Sequence, residues 1–435
     1  MRHDQPCIPA DTECGGRRGG YIGACATDGW LVRPHSETGT VRSADDSFTV
    51  TSPVPADVWE SVLKSDGAAV VTQSLPWRDA VLATGRFADV SRLYEFGSGR
   101  QVVLPLVQRR GVPLRAATLA SWPQVWSAGG PICTDGAASA GEAHAVLRDL
   151  AAIGALAVEL RLRHDAGDCW LDAAGPFRAE PAPYWVLDLD GGAGEVWERR
   201  FRGAVRRAVH KAERSGVEIE SDRTGRLLGE FWELYQKSVV RWARSQHAPA
   251  WLTRRRLAST TNPDRLARVA QAFGQDCTTW LARHEGRPVA ARIVLRAGGY
   301  AKGWQAAMDK ELIASLGGVS QLLDWRTIED ACQDGYRYFD LGFARPGSSI
   351  GAYKERLGAH VVNHHTLRAE RLPVQAASRL PRELVKKANG FRDNTRRSCP
   401  RAAVGNEGRA GHRTHRRRCF RLRCLPVRVD AITST

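Results

Sequence analysis

The sequence lacks the features that mark membrane-spanning and secreted proteins. No run of about eighteen uncharged apolar residues occurs among its 435 positions, so no transmembrane helix is expected. The first twenty residues contain no apolar core of the kind that a secretory signal peptide requires. We therefore predict a cytoplasmic protein without stable membrane insertion.

Cysteine is present, but never in the Cys-x-x-Cys spacing that is typical of structural zinc sites. We expect neither a zinc cluster nor a disulfide framework, and we predict that no metal is required. The interior cysteines are predicted to be small buried apolar residues and comprise Cys133, Cys169, Cys277 and Cys332. One group near the end could still bind a metal ion; it comprises His412, His415, Cys419 and Cys424.

What the sequence does contain is the composition of a folded, soluble protein, with 43% hydrophobic and 25% charged residues. Its positive charge is unevenly placed. The formal net charge is +16, and residues 382–435 carry 15 Lys and Arg against four Asp and Glu. Such basic blocks are typically solvated and can bind polyanions. One hypothesis is therefore a non-catalytic protein that binds nucleic acid or an anionic surface through this tail.

Strand and helix patterns alternate between the two ends of the chain. We predict a disordered leader at 1–48, two α/β domains at 49–183 and 184–375, and a basic, largely disordered tail at 376–435. In each domain, antiparallel strands are followed by a helix and then by another strand. The order recurs while residue identity barely does, which indicates two domains of one architecture.

A helical pattern at 194–216, as one helix or two, opens the second domain. Its apolar stripe recurs every four residues and comprises Trp197, Phe201, Val205 and Val209. Its other side is basic, and the residues that share one face are Arg207, Lys211 and Arg214. These cations suit a phosphate-rich donor or an anionic acceptor. The alternative is a solvated helix face that Glu213 partly neutralises.

Two motifs of the second half stand out. The first is GAVRRAVHKAERSGVEI, in which paired basic residues precede a Lys-Ala-Glu-Arg-x-Gly-Val run. The second is YRYFDLGFARPGSSIGAYKERLGAH, with Phe-Asp-Leu-Gly, a glycine-containing loop and Gly-x-Tyr-Lys. Both resemble motifs of the Fem-type peptidyltransferases and the related CelD-type acetyltransferase-domain proteins. The resemblance covers about residues 50–370 and is specific mainly after residue 184.

The resemblance implies an α/β (α+β) fold with two GNAT-like domains in tandem, mixed, largely antiparallel sheets, and acyl transfer to an amine. Fem-type members take an aminoacyl group from charged tRNA, whereas their broader relatives are presumed to use acyl-CoA. The acyl-CoA signature Arg/Gln-x-x-Gly-x-Gly/Ala is missing at the expected place. There the chain reads ASLGGVSQ, at residues 314–321.

Six candidate residues follow from these motifs. Gly317, Gly318 and Ser320 surround the predicted start of a helix, where exposed N–H groups could bind the donor's phosphates. The alternative is an ordinary loop-to-helix turn. In the second motif, the resemblance points most directly to Lys354, which could offset negative charge on phosphate or on the tetrahedral intermediate.

Asp340 could act as a general base or orient the amine, or it could simply bind the backbone of the following turn. Tyr353 could donate a hydrogen bond to the leaving group or the oxyanion. The alternative for the Tyr353–Lys354 pair is an exposed helix start.

We expect an N-acyltransferase that moves an acyl group from acyl-CoA, such as acetyl-CoA, to an amine. The acceptor would be a small molecule or a precursor of the cell envelope or of a polysaccharide. One alternative is a Fem-type peptidyltransferase that depends on aminoacyl-tRNA, and the tail-binding protein is another.

Overall fold

The computed structural model describes residues 37–42, 47–123, 126–245, 251, 253 and 261–373. The predicted basic tail and its possible metal-binding group lie outside these residues. All described residues belong to one compact unit. At the end of the predicted leader, the residues at 37–42 form a strand rather than irregular chain.

The described chain alternates between helices and strands, which confirms the predicted mixed α/β class. The helices are α1 Ala56–Ser65, α2 Leu75–Leu82, α3 Ala140–Ala152, α4 Cys169–Asp172, α5 Gly192–Glu195, α6 Gly203–Arg214, α7 Leu228–Ser245, α8 Pro263–Phe273, α9 Lys310–Leu316, α10 Val319–Gln333 and α11 Ser349–Arg356. The strands are β1 Glu37–Arg42, β2 Ser47–Ser52, β3 Phe87–Asp89, β4 Arg92–Phe96, β5 Gln101–Leu104, β6 Val107–Arg109, β7 Thr118–Ala120, β8 Ile132–Cys133, β9 Ala157–Leu162, β10 Arg178–Asp188, β11 Val217–Asp222, β12 Cys277–His284, β13 Arg287–Ala297, β14 Tyr300–Met308, β15 Tyr338–Phe343 and β16 His360–Glu370.

Two sheets organise these strands. The smaller has the order β1-β2-β4-β5-β8, and the larger has the order β11-β12-β13-β14-β15-β10-β16-β9-β7-β6-β3. The larger sheet is antiparallel except at two pairs, β14 with β15 and β7 with β9. A parallel pair needs a long crossover connection, which contains α10 in one case and α3 in the other. The two parallel pairs therefore repeat one arrangement, as the predicted duplication requires.

The two halves are physically continuous. β16 from the second half pairs with β9 from the first, and β10 lies between β15 and β16. The boundary that was predicted between residues 183 and 184 falls inside β10. One apolar core also draws on both halves, with Trp77 and Ile132 from the first and Phe231 and Leu295 from the second. The division into two domains thus remains a proposal, because the two halves share one sheet and one apolar core.

A separate core joins α6 and α10 to the larger sheet. It contains three members of the predicted stripe, Phe201, Val205 and Val209, while Trp197 packs against it from a partly exposed position. Of the one helix or two predicted at 194–216, the structure has two, because a π-helical turn at Val196–Arg200 and an extended Phe201 separate α5 from α6.

A buried ion pair in the first half joins the loop after α1 to the loop after β9. Arg163 Nη1 lies 2.7 Å from Asp66 Oδ2, and the side chains are 1% and 0% exposed. Asp66 also accepts a hydrogen bond from the N–H of Cys133, while Arg163 donates to the carbonyl of Gly136. Both members of the pair therefore also bind main-chain groups, and Arg163 has a second carboxylate partner in Asp165.

Because a buried charge without its partner is costly, we expect Arg163→Met to lower the free energy of unfolding by about 3–5 kcal/mol. The control is Arg226→Met, which removes a side chain that is 60% exposed and pairs with Glu220, and it should have a much smaller effect. Urea unfolding would measure both. Equal effects of the two substitutions would contradict the structural role of the Arg163–Asp66 pair.

Candidate functional site

The candidate site lies where β14 and β15 separate. The two parallel strands pair only from Tyr300 with Tyr338 to Lys302 with Asp340. β14 then continues to Met308 and β15 to Phe343 without further pairing to each other. The end of this pairing leaves main-chain groups of both strands available for a ligand or a side chain.

The N-terminus of α10 faces the same edge of the sheet, because α10 connects the end of β14 to the start of β15. Gly317 and Gly318 precede this helix with φ values of 64° and 84°, in the left-handed region that favours glycine. Ser320 is half-buried in the first turn. The predicted helix start is therefore present, and it lies at the same edge of the sheet as the candidate site.

The packing of α6 explains Gly318. A Cβ atom on Gly318 would lie 1.9 Å from the carbonyl oxygen of Ala208, so only glycine allows α6 to approach α10 this closely. A Cβ atom on Gly317 would lie 2.8 Å from Nζ of Lys211. The structure thus brings Lys211 to the start of α10, and the requirement for Gly318 comes from helix packing.

The other two predicted cations lie beside Lys211 on α6. Arg207 and Arg214 are exposed, and none of the three has an ion-pair partner among the residues that the structure describes. Arg206, in contrast, donates to main-chain carbonyls, including that of Trp197. Arg207 and Arg214 therefore lie on a solvated helix face, as the alternative interpretation expected. Lys211 differs because it also contacts the start of α10.

Asp340 occupies the last position of the β14–β15 pairing. Its Oδ1 atom accepts a hydrogen bond of 2.6 Å from the N–H of Gly342, which is the turn contact that the alternative interpretation expected. Its Oδ2 atom forms an ion pair with Lys302. Burial would raise the pKa of this carboxyl, but Lys302 and the Gly342 N–H outweigh it, so the pKa lies below its usual range. Asp340 is therefore ionised and a weak proton acceptor.

Lys354 reaches back from α11 to the end of β15. Its Nζ atom donates hydrogen bonds to the carbonyl oxygens of Gly342 at 2.8 Å and Phe343 at 3.1 Å. Burial, assisted by the positive charges of Arg292 and Lys302, lowers the pKa of Lys354 to about 8, although Asp340 opposes this shift. Lys354 is only 8% exposed, so the alternative of an exposed helix start is wrong for this residue.

Tyr353 faces a second buried polar group. Its hydroxyl donates a 2.6 Å hydrogen bond to Asp324 on α10, and Asp324 forms a 2.6 Å ion pair with Arg292 on β13. Burial and the Asp324 carboxylate raise the pKa of Tyr353 well above its usual value. The hydroxyl therefore stays protonated and is already engaged with Asp324.

Three residues of this site were not predicted from the sequence, namely Arg292, Lys302 and Asp324. A signal was present, because Lys302 interrupts an otherwise uncharged strand pattern, YAKGWQAAM, and Asp324 follows two leucines of a helix that packs on the sheet. A charge at a buried position of a periodic pattern usually has a partner. The pattern does not name that partner.

Two adjacent histidines, His364 and His365, lie on β16, and His364 packs against an aromatic ring. His364 is buried with its ring centroid 4.2 Å from that of Tyr184, and burial lowers the pKa of His364 to about 3. The imidazole is therefore neutral at ordinary pH.

Within the described ranges, no three His, Cys, Asp or Glu side chains lie close enough to hold a metal ion. Over the same residues, no helix is both long enough and apolar enough to cross a membrane.

The run Gly347-Ser348-Ser349-Ile350-Gly351 has the Gly-x-Ser-x-Gly form of a hydrolase nucleophile elbow. Ser349 is nevertheless the first residue of α11 and does not have the positive φ of a strained turn. Ser348 caps this helix by accepting a hydrogen bond from the Gly351 N–H. These serines therefore start α11 and do not form an elbow.

Part of the second half is similar in sequence to a known domain family. Residues 199–355 match a model described as an acetyltransferase (GNAT) domain, and this range contains every candidate residue above. No curated protein matches the chain significantly in sequence. The crystal structure of FemX is similar with a TM-score of 0.54 at 13% identity, over 72% of this chain and 96% of FemX. A tandem GNAT protein from the clavulanic acid biosynthesis pathway aligns with a TM-score of 0.45 at 14% identity, over 72% of this chain and 94% of its own.

The match to FemX extends over most of both proteins, so it describes a fold and not one isolated domain. The matched range lies in the second half of the chain. It includes the parallel pair β14 and β15, the helix α10 that follows Gly318, and Lys354. Residues 199–355 therefore form a GNAT-type acetyltransferase domain, and the chain shares the fold of FemX.

Proposed function

We propose that this enzyme transfers an acyl group from acyl-CoA to an amine in the opening between β14 and β15. The observation that carries the proposal is the position of Lys354. Its amine is buried at the end of β15, is held by two carbonyl oxygens, and has a pKa of about 8. A group that gains and loses a proton near physiological pH is suited to proton transfer.

The binding of the donor is proposed at the start of α10. The first N–H groups of a helix and nearby cations attract phosphate. Lys211 lies at this helix start, and Arg207 is exposed one turn away on α6. We propose that these groups hold the phosphates of acyl-CoA, while Arg214 extends the positive surface. The acyl carbonyl would then lie towards the separated ends of β14 and β15.

The proposed chemistry uses Lys354 as the proton acceptor. The acceptor amine attacks the thioester carbonyl, a C–N bond forms, and the C–S bond breaks. Neutral Lys354 takes the proton that the amine nitrogen loses, and the departing thiolate is protonated from solvent. Asp340 holds Lys302 in place through their ion pair, and the positive charge of Lys302 would stabilise the developing oxyanion. Tyr353 would hold α11 against Asp324 and thereby position Lys354.

The second candidate donor is aminoacyl-tRNA. The resemblance to Fem-type proteins suggests it, and the unpaired cations on α6 would also suit an RNA backbone. The acceptor is proposed to be an amine of a small molecule or of a cell-envelope or polysaccharide precursor, and the reaction is proposed to be cytoplasmic. Binding of polyanions by the basic tail would be an additional property of residues outside the described part.

The donor can be identified by thermal unfolding of the full chain with acetyl-CoA, a long-chain acyl-CoA, charged tRNA or uncharged tRNA. A ligand that binds only the folded state raises the Tm. We expect acyl-CoA to raise it, and Lys211→Ala to weaken the effect. The control Lys64→Ala, on an exposed side chain of α1, should leave the shift unchanged.

A shift with charged tRNA alone would replace acyl-CoA by aminoacyl-tRNA as the donor. If none of the four ligands changed the Tm, the proposed function would be contradicted.

The role of Lys354 predicts a specific pH dependence. The residue accepts a proton only when it is neutral, so acyl transfer should rise with pH up to about 8 and fall about tenfold per unit below it. Asp340→Asn removes a negative charge that raises the pKa of Lys354, so the midpoint should move to lower pH. The measurement is kcat/KM for acyl transfer across this range.

Lys354→Arg keeps the positive charge but cannot release a proton, and it should reduce kcat by about 10²–10⁴-fold. The matched control is Lys237→Arg, whose side chain is 58% exposed on α7. A pH profile that keeps its midpoint in Asp340→Asn, or full activity in Lys354→Arg, would exclude Lys354 as the proton acceptor.

A further inference from the structure

The hydrogen bonds of Lys354 leave one direction of its nitrogen unused. A neutral amine has two N–H bonds and one lone pair. Both N–H bonds have acceptors, the carbonyl oxygens of Gly342 and Phe343. The lone pair is therefore the part of the nitrogen that remains available, and it belongs to a side chain buried at the end of β15.

The other lysine of the site has a different partner. Lys302 forms an ion pair with the carboxylate of Asp340. Lys302 and Lys354 thus lie near the same turn with different contacts. Lys302 binds a carboxylate, while Lys354 donates to the neutral carbonyl oxygens of Gly342 and Phe343.

We propose that Lys354 is a self-modification site, which accepts the acyl group of a bound acyl thioester when no acceptor amine is present. The inference rests on the proposed function, because it requires a thioester in the opening beside β15. Lys354 Nζ forms a bond to the acyl carbon, the C–S bond breaks, and the thiolate leaves. The proton lost from Nζ passes to the thiolate through solvent, so the products are an amide and free coenzyme A.

Two physical consequences make the modification inhibitory. An amide nitrogen has no basic lone pair, so the modified residue cannot accept a proton from the acceptor amine. The amide also has one N–H where the amine had two, so one of the carbonyl oxygens of Gly342 and Phe343 loses its donor. The self-acylated enzyme is therefore inactive, and an acceptor amine protects it by consuming the donor.

The test is incubation of the full chain with acetyl-CoA alone, followed by intact-mass measurement and peptide mapping. We expect acetylation of the peptide that contains Lys354, about tenfold or more faster than at any other lysine because the thioester is held beside it. The labelling rate should rise with pH up to about 8. Activity towards an amine should fall in parallel with labelling.

Three controls make the result specific. Lys302 should remain unlabelled, excess coenzyme A without an acyl group should protect Lys354, and unfolded protein should lose the preference for Lys354. Lys354→Arg should remove the labelled peptide. Because protection by coenzyme A is measured on the unchanged chain, the test does not depend on the folding of this variant.

Labelling that is equal in folded and unfolded protein, or spread evenly over surface lysines, would overturn the inference. So would an enzyme that acetylates amines but leaves Lys354 unmodified, and in that case the proposed function would stand. A chain whose Tm does not respond to acetyl-CoA and that shows no labelling would refute the proposed donor together with the self-modification.

Discussion

The ion pair between Lys302 and Asp340 is the interaction on which the arrangement of the site depends. It closes the last paired position of β14 and β15, after which the strands separate. The same carboxylate accepts the N–H of Gly342 and so holds the turn at the end of β15. That turn presents the two carbonyl oxygens that bind Lys354. A single buried carboxylate therefore connects the strand opening with the position of the lysine.

A second buried group fixes α11 from the other side. Arg292 on β13, Asp324 on α10 and Tyr353 on α11 form a continuous series of polar contacts. Adjacent residues of α11 thus have different partners, since Tyr353 binds α10 and Lys354 binds β15. Buried charges are costly to remove from their partners, so both groups restrict how far α11 can move.

The first half of the chain repeats the architecture but not this chemistry. Its parallel pair, β7 with β9, ends with Ala120 opposite Glu159. Glu159 forms ion pairs with Arg161 and Arg368. Ala120 is uncharged, so the first half contains no counterpart of the Lys302–Asp340 pair at this position. This half instead extends the larger sheet through the pairing of β9 with β16.

The sequence by itself determined the mixed α/β class and the similarity of the two halves, because periodicity and turn residues act over short distances. It also pointed to Asp340, Tyr353 and Lys354 through a local motif. Only the tertiary structure decided that Lys302 pairs with Asp340, that Gly318 accommodates Ala208, and that β10 crosses the expected domain boundary.

The protonation of Lys354 was likewise decided by the tertiary structure. Its motif suggested a cation that offsets negative charge, whereas burial and the nearby Arg292 and Lys302 give it a pKa of about 8. These groups come from strands about fifty residues or more away along the chain. A local pattern specifies which residue is present, but its charge depends on neighbours that only the folded chain brings together.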